Sequence, residues 1–444
     1  MPLMKKSLFI FSAFLALFLS ACSHADGDEI LKTIPKNPQF LAVVDAHSIA
    51  AKLGDNTRLD NNDIASILSI FNSTGNVRLN PIWEFTLSSE SGVDFDNPVV
   101  VFEYNRATVY TFLLRDAGKY RKGLEAKTSA AFQDVKGVLS LPNGTVFIKG
   151  DQAWISAEYP GLRNEDILRL TSLKENQSAW SEEYFHDMME QSADISWLSS
   201  VNSILGDDTG LQSSLIINFL FDNASYTAGT VNFEEGKITG EATVLTSKLQ
   251  PSRMAITPEA VDVASLSGFK GKGNSFFAIG LGSATVKNLT GQLRNLGLIP
   301  PQLLSLLSNI DGTLALAASV NDEDEWYNGL SIMATLNSDS AAKSCADNLS
   351  DIMGSDESMQ ISCEGNKVYV INTGSVGDEF SSRASEFKGS EAGLVFNSKG
   401  VQGMNPALTG GRIFLKLSED NVPVMNFTFD TTPGKNSLLS IIGK

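Results

Sequence analysis

Apolar and polar positions along this chain recur with two periods. Residues 40–44, 99–102, 108–114, 145–149, 152–156, 229–233 and 237–245 alternate or run apolar at strand length, which predicts β-strands. Between them, residues 48–53, 63–71, 116–128 and 181–191 carry helix-forming and capping patterns, which predict helices. Turn signals such as Leu141-Pro142-Asn143-Gly144 imply hairpins, so the expected fold class is α+β with a mainly antiparallel sheet.

The pattern also repeats. Phe40-Leu41-Ala42-Val43-Val44 before a helix is echoed by Phe276-Phe277-Ala278-Ile279-Gly280 before another. Thr111-Phe112-Leu113-Leu114-Arg115-Asp116 is echoed by Met333-Ala334-Thr335-Leu336-Asn337-Ser338. Asn176-Gln177-Ser178 with Glu183-Tyr184-Phe185 and Ile195-Ser196-Trp197 matches Asn372-Thr373-Gly374 with Asp378-Glu379-Phe380 and Ala392-Gly393-Leu394. Gly229-Thr230-Val231-Asn232-Phe233 matches Gly411-Arg412-Ile413-Phe414-Leu415. Order is kept while the offset shrinks, as loop deletion in one copy of a duplicated domain would produce. The expectation is two tandem copies, residues 34–250 and 273–433, each a mainly antiparallel sheet with helices on one face. A linker over 251–272 joins them, and a tail follows over 434–444.

In the second copy, Ser338 caps an expected helix running to Met353, with Ala342, Cys345, Leu349 and Ile352 on one face. Met359, Ile361 and Cys363 alternate along the next strand. Both sulfurs then face one core, so an oxidising compartment would join Cys345 to Cys363, stabilising the fold by about 3 kcal/mol. The alternative is two separate buried thiols.

What compartment that is follows from the N-terminus. Lys5 and Lys6, an apolar run over 8–18, and Leu19-Ser20-Ala21-Cys22 form a charged region, a hydrophobic region and a small-residue cleavage site. The run is too short to span a bilayer as a lasting anchor. Residues 1–21 therefore read as a lipoprotein signal peptide. Cys22 is the thiol that takes a diacylglyceryl group, and the freed amine takes a further chain such as palmitate. Residues 22–33 begin small, polar and acidic and read as an acylated, solvated tether. The implied location is the cell envelope, at the outer membrane, on its periplasmic or surface-exposed face.

Removing residues 1–21 leaves a mature net charge of about −19. That balance speaks against nucleic acid and anionic headgroups, whose nonspecific partners are Lys and Arg. With 42% hydrophobic residues and 25 Phe, the chain is long enough to bury more than one core.

The lipobox, then Ile34-Pro35-Lys36-Asn37-Pro38, a strand, and Ala46-His47-Ser48-Ile49-Ala50-Ala51-Lys52-Leu53-Gly54, resembles the opening of the Bacteroidetes lipoproteins grouped as domain-of-unknown-function family 4836. The resemblance runs along the whole mature chain in order and length through soft patterns of apolar and small residues. It implies an envelope lipoprotein of duplicated α+β build and carries no catalytic residue.

Chemistry is sparse. His24 lies in the tether, His47 sits beside Asp45 where a helix-capping role suffices, and His186 reads as a solvated helix position. No nucleophile elbow, phosphate loop, dinucleotide fingerprint or zinc-protease motif occurs. Asn321-Asp322-Glu323-Asp324-Glu325 fails calcium-loop spacing and reads as a charged hairpin tip. Asp339-Ser340-Ala341 and Asp430-Thr431-Thr432 resemble O-glycosylation acceptors, and equally a helix start and a strand end. No catalytic residue, metal site or cofactor is expected. The leading reading is a non-catalytic envelope component that binds another protein or organises an assembly. The alternative is glycan or lipid binding in the cleft between repeats, favoured if Trp154, Trp180 or Trp326 line it. An enzyme would require carboxylates distant in sequence to converge in a pocket.

Overall fold

The computed structural model describes residues 27–53, 81–86, 88, 90–105, 107–132, 137–141, 144–156, 162–201, 220–296, 307–319, 329–353, 358–397 and 406–441. The expected signal peptide, Cys22, His24, the helix over 63–71 and the acidic run over 321–325 lie outside these residues, as does Trp326.

Among the described residues, nearly every strand joins one open, antiparallel sheet of 17 strands. In the N-terminal half, β1 (Phe40–Val44) lies between β2 (Val99–Tyr104) and β7 (Ile195–Ser200). Beyond β2 follow β3 (Ala107–Leu113), β6 (Gln152–Ser156), β5 (Gly144–Lys149) and β4 (Val138–Leu141). Beyond β7 follow β8 (Ala224–Glu234) and β9 (Lys237–Thr246). In the C-terminal half, β11 (Ser275–Leu281) lies between β12 (Ile310–Ala318) and β17 (Ala392–Asn397). Beyond β12 come β13 (Leu330–Leu336), β15 (Lys367–Asn372) and β14 (Met359–Glu364), and beyond β17 come β18 (Gly410–Leu417) and β19 (Pro423–Asp430). The halves meet where β9 pairs with β19, from Lys237↔Asp430 to Thr243↔Val424. A separate two-stranded ribbon pairs β10 (Lys272–Gly273) with β16 (Asp378–Glu379).

Helices cover both faces of the sheet, not the one face expected. Successive residues of a strand point to opposite faces, and in β1 Ala42 and Val44 enter one core while Leu41 and Val43 enter another. The first core takes Ile49 of α1 (Ala46–Leu53), Ile82 and Phe85 of α2 (Pro81–Thr86), and Tyr120 and Leu124 of α3 (Ala117–Thr128). The second takes Ile167 and Leu170 of α4 (Asn164–Leu170) and Phe185 and Met188 of α5 (Glu183–Glu190). In the other half, Phe276 and Ala278 pack under α6 (Val263–Leu266) and α9 (Phe380–Arg383). Leu281 packs on the opposite face with Val286 of α7 (Ser283–Leu296) and Ala342, Cys345 and Ala346 of α8 (Asp339–Met353). The reason is in the sequence of the strands: Leu41-Ala42-Val43-Val44 is apolar on both sides, which requires cover on both.

Three segments expected to be connectors are packed. Gly27–Thr33 is a 3-10 helix with Ile30 and Leu31 fully buried in the α4–α5 core. Leu266 and Phe269, within the expected linker, are fully buried in the α6–α9 core. The expected tail contains α10 (Ser437–Ile441), whose Leu438 enters the core of the N-terminal half.

Candidate functional site

Among the residues singled out from sequence, the structure explains several as scaffolding. Asp45 Oδ1 accepts the Ser48 backbone N–H at 2.8 Å, the helix-start role expected of it. His47 is exposed, 3.9 Å from Asp96. His186 is engaged at both ring nitrogens, with Nδ1 2.9 Å from Asp28 Oδ2 and Nε2 2.9 Å from the Trp180 carbonyl. The carboxylate and carbonyl raise its pKa. Of the acceptor-like triplets, Ser340 is exposed at the start of α8, whereas Thr431 is buried. Trp154 is buried, and Trp180 is half-buried between Lys32 and His186. Neither stands exposed in a cleft.

The expected disulfide is corrected. Ser338 Oγ caps α8 by accepting from Ala341 N at 3.2 Å, and Cys345 is buried as foreseen. Cys363, however, is exposed, and both thiols are free. Its partner across the ladder is Val368, which does belong to the core that holds Cys345. The face was therefore read correctly, but β14 is the outermost strand and the cover over Cys363 runs out. Ile352, placed on the inward side of α8, is 62% exposed for the same reason.

Sequence reading missed a buried carboxylate. Asp194, with no exposed surface, accepts from Phe233 N at 2.6 Å, Ser48 Oγ at 2.7 Å and Lys52 Nζ at 2.9 Å on both oxygens. Its own carbonyl accepts from Asp45 N. In the other half Glu391 takes the same place before β17: its carbonyl accepts from Gly280 N, and its carboxylate from Leu417 N at the end of β18. Every ligand of Asp194 is satisfied within the fold, so it is a brace between strand ends.

The feature that stands out as a working surface is one face of the sheet. Register places Phe427 opposite Ile413, Ile413 opposite Leu394, Leu394 opposite Phe277, Phe277 opposite Leu316 and Leu316 opposite Ile332. These six side chains form a row across β19, β18, β17, β11, β12 and β13, about 24 Å wide at the usual strand spacing. All six are only half-buried, and none joins a packed core. Met425, Leu415 and Ile279 lie one row over, and Phe396 and Phe429 flank Gly411 one row the other way. Charges keep to the reverse side: Lys237 and Glu241 of β9 and Arg412 and Lys416 of β18 alternate with these positions. Continued through Gly240 and Val231, the row reaches Ile195, Val44 and Val99, which are buried under the helices of the N-terminal half. This sheet face, uncharged across the strands of the C-terminal half, is thus covered in one half and half-open in the other.

Among the described residues no group of His, Cys, Asp or Glu has the arrangement of a metal site, and no helix is long and apolar enough to cross a membrane. No family model matches the chain, and no curated protein matches it. Among solved structures, the chain aligns with the β chain of DNA polymerase III from Streptococcus pneumoniae at 8% identity over 97% of this chain and 98% of that one. With a TM-score of 0.11, that alignment carries no argument.

Proposed function

We propose that this chain is a lipid-anchored, non-catalytic envelope component, held at a membrane by acylated Cys22, whose half-open sheet face binds a partner protein. The observation that carries the reading is the uncharged row from Phe427 to Ile332. Water-facing strands carry polar residues on their outer side, and here charge is confined to the other side. Burying a fully exposed large apolar side chain gains about 1.5–3 kcal/mol; these six are already partly buried and retain up to about a third of that each, so covering the row contributes on the order of 3–6 kcal/mol to association.

A protein is the occupant that fits. A flat face gives an acyl chain no enclosing cavity, and the row offers a glycan no polar group to orient it. The N-terminal half shows the cover such a face takes, the apolar sides of α1, α2, α3 and α10. The partner accordingly presents an amphipathic helical surface.

We also infer that the two halves are copies of one domain, as the sequence echoes suggested. Supporting this, the strand order β5-β6-β3-β2-β1-β7-β8-β9 matches β14-β15-β13-β12-β11-β17-β18-β19, with β4 added at one edge. Asp194 and Glu391 fill the same bracing role, and Phe185 and Phe380, paired in the echoes, are both fully buried. On this reading the C-terminal copy kept the face, and among its described residues α7 and α8 cover one end of it.

A photo-crosslinking residue placed at Ile413 in cells, with Arg412 on the reverse face as control, tests the proposal. The expected result is a discrete protein adduct at 413, absent at 412 and lost when Leu394→Glu is added. Adducts at neither position, or equally at both, would overturn it. An adduct of twice the chain's mass would identify the occupant as a second copy and overturn the partner assignment.

A further inference from the structure

The first described residues are pinned to the domain rather than hanging from it. Ile30, Leu31 and Ile34 are fully buried among Ala179, Phe185 and Met188. Thr33 Oγ1 accepts from Gln152 Nε2 at 3.0 Å and from Trp154 Nε1 at 3.3 Å. His186 joins Asp28 to the Trp180 carbonyl. Both of its partners only accept, so the doubly protonated ring satisfies both at once. Gly27 packs so closely on the turn before β2 that a β-carbon there would lie 2.8 Å from Asn97 Oδ1.

Five peptide steps separate Cys22 from Gly27, a reach of at most about 18 Å. Acyl chains on Cys22 place that residue near the hydrocarbon boundary, beneath a headgroup layer of roughly 5–8 Å. Gly27 then stands no more than about 13 Å above the lipid surface, close to one helix diameter.

We propose that the surface around Gly27, formed by the first turn of the 3-10 helix, the Asn97-Pro98 turn and the His186 side of α5, is the membrane-facing seat of the domain, apposed to zwitterionic headgroups. The inference rests on the lipoprotein reading. Most charges around the seat come in pairs, Glu29 with Lys32 at 2.6 Å, Asp28 with His186 at 2.9 Å, Asp96 with Arg115 at 2.5 Å, and Lys36 with Glu182, while the exposed Glu183 and Glu190, one turn either side of His186, add acidity at the α5 edge. Pairing over most of the patch, and the absence of net charge on zwitterionic lipid, let it approach that headgroup layer despite the acidity of the α5 edge and of the whole chain.

The test uses the full mature protein, purified with its lipid and inserted into phosphatidylcholine–phosphatidylethanolamine vesicles carrying a nitroxide on the headgroup. Glu29→Cys supplies a fluorophore site at an exposed position, with Cys363→Ser removing the exposed native thiol. A second form carries a 20-residue Gly-Ser spacer between Asp26 and Gly27, which leaves every packed residue in place. Strong quenching at residue 29 is expected, falling at least about twofold with the spacer, which adds a root-mean-square reach of roughly 25 Å. Protein that floats with the vesicles yet is quenched equally with and without the spacer overturns the seat alone. Protein whose mass lacks acyl chains and which does not float overturns the anchor reading, and the seat with it.

Discussion

Single residues here divide into groups whose partners are saturated and groups left to solvent, and that division sets their chemistry. Cys345 and Cys363 differ in this way: burial raises the pKa of the Cys345 thiol, whereas Cys363 is exposed. Alkylation of the native protein without reductant should label Cys363 within minutes and spare Cys345, and both should be labelled once the chain is unfolded. Mass spectrometry reads the difference, and failure to label either cysteine after unfolding would mean that the free thiols are wrong. Asp194 is the opposite case, a buried carboxylate paired with Lys52 and bonded to Ser48 and the Phe233 amide. Asp194→Ala leaves those donors without their acceptor, so urea denaturation should show a loss of about 3 kcal/mol. The Glu391 carboxylate accepts from the Leu417 amide and its carbonyl from the Gly280 amide, without the lysine that Asp194 holds, and Glu391→Gln should cost less, about 1 kcal/mol. His186 has its pKa raised by Asp28 and the Trp180 carbonyl. Stability from a group raised in the folded state is complete below its unfolded pKa, near 6.5, and is lost as pH rises through the folded value. Melting temperatures should therefore fall across that interval in the wild type, and the fall should be smaller in His186→Ala. Equal pH dependence in the two proteins would remove His186 from this role.

At the scale of elements, local pattern was enough wherever one short segment decides. The strand over 40–44 and the strand over 152–156 have the bounds read from alternation, and α8 begins at its Ser338 cap and runs to Met353 as read. The misreadings share a cause, which is that polar neighbours outvoted a few buried residues. Ile30, Leu31 and Ile34 recur at helical spacing but sit among Asp28, Glu29 and Lys32, so the segment looked like tether. Leu438 and Leu439 follow Lys435-Asn436-Ser437 and looked like tail. What sequence could not supply is which strand lies beside which. The alternation of Ile413 and Leu415 with Arg412 and Lys416 is visible in the chain, but the row from Phe427 to Ile332 exists only once β17, β11 and β12 are neighbours. The α10 segment makes this testable. It joins Leu438, Leu439 and Ile441 to the core of the N-terminal half, and Lys435 O accepts from Gly236 N in the turn between β8 and β9. Leu438→Ala should destabilise the protein by about 2–4 kcal/mol in urea. Deleting residues 434–444 should do at least as much and should increase binding of an apolar dye, because the face beneath α10 becomes as open as its continuation in the other half. A truncated protein of unchanged stability would show that the helix does not hold there.

Apart from the β10–β16 ribbon, the described strands form one sheet, and its integrity depends on the seam where β9 meets β19. That seam is hydrogen-bonded along seven residue pairs, from Lys237↔Asp430 to Val424↔Thr243. Sheets joined by backbone pairing over such a length do not part without leaving two edges of unpaired amides and carbonyls, which costs both halves at once. The C-terminal helix adds a second link, since a segment beyond β19 completes the core beside β1. These two links couple the stabilities of the halves, so calorimetry should show one unfolding transition rather than two. Gly240 is the position at which this can be tested without touching either core. It faces Phe427 across the seam, and a β-carbon on it would lie 2.1 Å from the Thr230 carbonyl oxygen and 2.3 Å from Phe427 Cζ. A phenyl ring can swing aside but a ladder carbonyl cannot, so Gly240→Val must push β8 and β9 apart or release β19. The cost of such overpacking is typically about 1–3 kcal/mol, with more when backbone must shift. The variant is therefore expected to lower the melting temperature and to split the calorimetric peak, the N-terminal half unfolding separately from the C-terminal half. Gly434→Ala, where a β-carbon meets nothing within 4 Å but the φ of +73° is strained, provides a control of similar size away from the seam. If Gly240→Val melts in one transition at the wild-type temperature, the seam is not what makes the two halves a single body.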